Sequence, residues 1–170
     1  MCRHTADARG FSLIEVMFAL SILMVVALGL IPLGVVATNT SENQGHLVAR
    51  SAEYATDKLE QLQALAYGDT ISDTRHIVTE TSGGTGLTVG GSLNPDAPVT
   101  GYVDYLDEKG SMLDSENGVP SGWFYKRVWR IESPSANLKR ISVLAIVRSA
   151  VGNTGRVPQT TVTTLKTYPF

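Results

Sequence analysis

The stretch RGFSLIEVMFALSILMVV, Arg9 to Val26, decides the architecture of this chain. It sets a carboxylate, Glu15, directly after the apolar trio Phe11, Leu13 and Ile14, and directly before a long uncharged run. From Val16 to Ala37 there are 22 residues without a charge, and the next charge along the chain is Glu42. At about 1.5 Å per residue this run makes a helix of roughly 33 Å, enough to cross the hydrocarbon core of a bilayer. A helix buried in a water-soluble domain would normally keep a polar face, and this one has none. Membrane insertion is therefore expected. An acid near the membrane interior costs on the order of 2.5–3.5 kcal/mol even on the lenient insertion scale, so Glu15 needs a partner or a purpose.

Three kinds of segment fit an apolar run near an N-terminus. A cleaved secretory signal could end at Val35-Val36-Ala37, but the run exceeds the roughly 7–15 residues of a signal core. A plain single-pass anchor leaves Glu15 as nothing more than an acid snorkelling to the membrane edge. The third kind accounts for the carboxylate. Arg9-Gly10-Phe11-Ser12-Leu13-Ile14-Glu15-Val16 resembles the prepilin leader junction of type IV pilins and their relatives. The shared features are a short polar leader ending in basic-Gly, a Phe after the junction, a carboxylate four residues on, and a long apolar helix.

That resemblance implies that a prepilin peptidase cuts after Gly10 and that the new amino terminus, Phe11, is N-methylated. It also implies that Glu15 faces the Phe11 ammonium of a neighbouring subunit. In a low-dielectric filament core an isolated ammonium and an isolated carboxylate are each costly, and together they offset much of that cost. The pair would then set the axial register between subunits. Pro32, flanked by Gly29 and Gly34, weakens the helix. Related pilins bend or melt at the matching place on packing, while a tolerated kink in lipid needs the same residues.

Beyond the membrane the helical pattern continues. Val48, Ala52, Ala55, Leu59, Leu62 and Ala66 recur at spacings of four and three, an apolar stripe, with Glu53, Asp57, Lys58 and Gln61 placed off it. Gly68 is the expected stop. The stripe is alanine-rich, suiting it to lie on a sheet better than to drive a coiled coil. Residues 69–101 read as a loop region, since SGGTGLTVGGS, Ser82 to Ser92, holds five glycines. No Gly-Lys-Ser/Thr follows and the spacing is not that of a dinucleotide fingerprint, so no cofactor is expected there.

Strand-like runs follow. Tyr102–Leu106 and Ser111–Leu113 flank a short DEKG loop and predict a hairpin. In WFYKRVWRI the odd positions Trp123, Tyr125, Trp129 and Ile131 form a buried face interrupted by Arg127. Leu138–Val147 is apolar on both faces, as a central strand would be, and Thr160–Tyr168 closes an edge. The expected fold is α+β, a type IV pilin-like roll with the helix on an antiparallel sheet of about four strands. The expected organisation is a leader at 1–10, a transmembrane or filament-core helix at 11–38, an amphipathic continuation at 39–68, and a loop region with the sheet at 69–170.

Composition narrows the chemistry. With 43% hydrophobic and 18% charged residues the chain is of the folded class, and its formal charge of −2 with no basic run gives no reason for a nucleic-acid partner. Cys2 is the only cysteine, which excludes an intrachain disulfide and a Cys-based metal site. His4, His46 and His76 lack ligand-like spacing, and no metal is expected on them. Asp104, Asp107, Glu108, Asp114 and Glu116 read as a solvated acidic face rather than a calcium loop. The sequon Asn39-Thr40-Ser41 falls on the helix, a poor place for a glycan. No nucleophile–base set can be assembled, so catalysis is not expected.

The strand series WRIES and LKRISVLAIVR resembles the minor-pilin branch, and the retained Glu15 implies that the subunit accepts a neighbour above it. The resemblance implies a bacterial inner-membrane protein with its C-terminal domain in the periplasm, later moved into a pilus or pseudopilus. Its implied partners are prepilin peptidase, other pilin or pseudopilin subunits, the assembly platform and membrane lipid. A minor pseudopilin of a type II secretion system shares every one of these features, and a membrane-anchored binding domain that never polymerises is the alternative of another class.

Overall fold

The computed structural model describes residues 12–76, 78–149 and 157–168. Gly10 and Phe11, with the whole leader and both Cys2 and His4, lie outside the described residues. The chain divides into two compact units, residues 1–41 and 42–170.

One helix, α1 (Leu13–Ala64), runs for 52 residues and ends one turn before the expected Gly68. Ser12 precedes its first turn, and its carbonyl accepts the amides of Glu15 at 3.0 Å and Val16 at 3.2 Å. Within the first unit, Leu13–Thr38 has a mean hydropathy of 2.7 and no buried residue. By length and composition it can cross a membrane, spanning roughly 39 Å. Gly29, Pro32 and Gly34 all lie inside this helical span, which stays helical through the proline.

Among the described residues the second unit carries a six-stranded antiparallel sheet, more than the expected total of about four strands. Its strands are β1 (Gly90–Gly91), β2 (Val103–Leu106), β3 (Met112–Leu113), β4 (Tyr125–Ser135), β5 (Leu138–Val147) and β6 (Gln159–Thr167). The order is β3-β2-β4-β5-β6, with β1 pairing β4 alongside β2. The β2–β3 hairpin, the central β5 and the edge β6 stand where their patterns place them. Pro134 falls where the β4–β5 register shifts between Glu132 and Ser135, because proline cannot supply a ladder N–H.

The extra strand lies in the glycine-rich segment read as loop. Gly90 and Gly91 pair with Ile131 and Arg130 of β4. Gly91 has φ +84°, and a Cβ there would sit 2.1 Å from the Trp129 carbonyl oxygen. The strand thus exists because glycine lets two backbones approach, a use of glycine that strand propensity counts against. Gly91→Ala should destabilise the unit by about 1–3 kcal/mol in urea unfolding. Gly118→Ala, also at positive φ but with nothing within 4 Å of the new Cβ, should cost less.

The core forms between the C-terminal part of α1 and the inward face of the sheet, where Ala55 and Leu62 meet Trp129, Ile131, Ile141 and Val143. A second cluster joins Tyr54 to Leu106, Tyr125 and Val147. The stripe on α1 is rotated from the expected one. Ser51, Tyr54, Ala55, Lys58 and Leu62 are buried, whereas Val48 is exposed at 43% and Ala66 is exposed too. Lys58, placed off the stripe by its charge, is at the centre of the interface.

The last turn of α1 holds no basic residue, and the sheet supplies the missing charge. Lys166 of β6 donates to the Gln63 carbonyl. Lys139 of β5 donates to the carbonyls of Tyr67 at 2.7 Å and Leu87 at 2.8 Å. Cations at a helix C-terminus complement its dipole and its unpaired carbonyls.

Candidate functional site

Two constellations carry charge where the fold would otherwise be apolar. The first is the start of α1. Glu15 is the third residue of the helix, exposed, one turn past Ser12. Ser12-x-x-Glu15 has the spacing of a capping box, a helix-start signal that also suits a carboxylate at the positive end of the helix dipole. It is flanked by exposed apolar residues, among them Leu13, Ile14, Val16, Met17 and Phe18. Nothing within the described residues covers this surface, so its burial has to come from lipid or from other chains. Gly29 and Gly34 leave open space where a Cβ would be, so packing within the described chain does not require either glycine.

The second joins Asp104, expected on a solvated acidic face, to Lys58, expected off the apolar stripe, and to Arg127; the structure corrects the first two expectations and buries all three. Asp104 is fully buried, and so is Lys58, while Arg127 is 2% exposed. The Asp104 carboxylate accepts a bidentate pair from Arg127, Nε to Oδ1 at 2.7 Å and Nη2 to Oδ2 at 2.8 Å. The Lys58 Nζ lies 2.9 Å from Asp104 Oδ2, donates to the Thr74 carbonyl at 2.5 Å and sits 4.0 Å over the Trp129 ring. Arg127 Nη1 also donates to the Tyr54 carbonyl at 3.3 Å. Helix, two strands and the following loop are thereby joined at one point.

Burial alone would raise the Asp104 carboxyl, but the Arg127 and Lys58 charges outweigh it and hold it below the ordinary carboxylate range. The signal available in the sequence was phase rather than composition. Lys58 stands three residues after Ala55 and four before Leu62; Arg127 stands on the inward phase of β4 between Tyr125 and Trp129. The pairing register sets Asp104 opposite Arg127. Arg127 does not interrupt the buried face; it belongs to it. Asp107 remains partly exposed and Glu108, Asp114 and Glu116 are exposed, so only Asp104 leaves the acidic group. His46 is exposed, and His76 is partly exposed with Nε2 3.8 Å from Asp73.

A long apolar helix at the N-terminus, followed by an antiparallel sheet that takes the helix's second half on one face, defines an α+β pilin-like fold. A family model described as the prokaryotic N-terminal methylation motif matches residues 6–31, which include Gly10, Phe11, Glu15 and Gly29. The chain carries the prepilin-type N-terminus of the type IV pilin and pseudopilin family. No curated protein and no solved structure matches it. The motif and the apolar helix together support membrane anchoring.

Proposed function

We propose that this chain is a structural subunit of a type IV pilus, a minor pilin that acts by packing and not by catalysis. It enters the bacterial inner membrane through α1 with its second unit in the periplasm. Prepilin peptidase then cuts after Gly10, Phe11 is N-methylated, and the assembly platform moves the subunit into or beneath the fibre. The observation that carries this reading is the conjunction at one helix start: the methylation motif, Glu15 in the first turn, and an apolar span with no buried residue. Glu15 then meets the Phe11 ammonium of a neighbour, and Pro32 with its flanking glycines lets the helix adapt as it packs.

Mass spectrometry of the N-terminal peptide from the native host tests this route. The expected product begins at Phe11 and carries one extra methyl group. A chain beginning at Met1 or Thr38 would end the pilin reading and leave an anchored or secreted domain. Co-purification with secretion components in place of pilus components would move the subunit to the pseudopilins of a type II secretion system.

A further inference from the structure

Charged groups from three other elements lie around Lys58. Asp104 comes from β2, Arg127 from β4, and Asp73 from the loop after α1, its carboxylate taken by Arg75 through Nε at 2.9 Å to Oδ1. Lys58 and Arg127 set two positive charges against the one of Asp104, while Asp73 is matched by Arg75 and lies 3.8 Å from His76. The single carboxylate at the centre is already committed to Arg127 in bidentate geometry, so the surplus positive charge rests on Lys58. The Lys58 ammonium spends its three protons on Asp104, on the Thr74 carbonyl and on the face of Trp129. A neutral amine has two protons to give and can keep the first two of these as hydrogen bonds; what it gives up is the cation–π contact and the charge attraction to Asp104, against which stands the cost of a buried ammonium.

We propose that Lys58 is a proton switch in the seam between α1 and the sheet: loss of its proton removes the surplus charge from the interior and stabilises the folded junction of helix, sheet and loop. Burial drives this most, the Asp104 charge opposes it, and the Arg127 charge assists it; the balance lowers the Lys58 ammonium from 10.5 to about 8. The sign follows from proton counting. Between about pH 8 and 10.5 the unfolded chain still binds the Lys58 proton that the folded chain has released, so stability rises with pH across that window. Each unit of separation is a factor of ten, so the folded-to-unfolded ratio should gain on the order of a hundredfold.

The test is urea unfolding of the full chain in detergent micelles from pH 7 to 10, beside Lys58→Met, which retains the side chain's length without its charge. The wild type should gain about a hundredfold in folded-to-unfolded ratio relative to Lys58→Met between those limits. Parallel pH dependences in the two proteins would overturn the proposal. A second readout does not depend on Lys58→Met folding. The chain has two tryptophans, so Trp123→Phe leaves Trp129, under the Lys58 Nζ, as the reporter. Its emission should titrate near pH 8, and flat emission from the folded protein between pH 7 and 10 would equally overturn it.

Discussion

Asp104→Asn is expected to cost the second unit on the order of 3–5 kcal/mol, a large share of the stability of a domain this size. The substitution is nearly isosteric, so the loss arises from charge and not from a cavity. Arg127 would be left a buried cation with no anion beside it, Lys58 would have to stay charged without a partner or give up its proton, and the amide can satisfy only part of their donor set. Urea unfolding followed by tryptophan emission should show the midpoint collapse with little change in slope. The triple replacement Lys58→Met, Asp104→Leu, Arg127→Met gives the opposite expectation. Removing all three charges at similar volume should restore most of the stability, because the cluster's net worth against an apolar core is small. If Asp104→Asn were as stable as the wild type, the cluster would have no role in holding helix to sheet.

The same cluster sets the acid limit. The folded Asp104 carboxyl lies below its unfolded value, so its contribution is complete above about pH 4 and is lost as pH falls through the folded value. Acid and alkaline behaviour thus share one cause, three charges at one point, but act through different groups.

Glu15→Ala should abolish incorporation into the fibre while leaving the chain in the membrane. Removing the acid from an apolar helix start makes membrane insertion easier, by roughly 2.5–3.5 kcal/mol if the acid lies at depth. Assembly responds in the other direction. Without the carboxylate, the Phe11 ammonium of a neighbour would be buried unpaired, a penalty of several kcal/mol per subunit. Fractionation should find Glu15→Ala in membranes and missing from sheared fibres; equal amounts in both proteins' fibres would remove Glu15 from the assembly mechanism. Glu15→Asp should show intermediate incorporation, since the charge is retained on a shorter side chain.

Periodicity located most of the architecture. The apolar run, the central strand Leu138–Val147 and the edge strand at β6 each follow from a pattern that one element imposes on its own residues. The glycine strand β1 was not legible, because its existence depends on how close β4 comes and not on any property of Gly90 and Gly91 taken alone. The face of α1 differs in phase from its apolar pattern for a related cause: charge puts Lys58 off the stripe, whereas its position between Ala55 and Leu62 puts it in the interface.

The N-terminal site and the buried cluster divide along that line. By itself the sequence placed the motif around Gly10, Phe11 and Glu15 and the apolar helix behind it, because a terminal motif and a membrane-length span are each written in one continuous stretch of chain. The tertiary structure alone decided that Lys58, Asp104 and Arg127 are one object. Each is an ordinary surface residue by type, and each becomes affordable in the interior only when the other two arrive from distant parts of the chain at hydrogen-bonding distance.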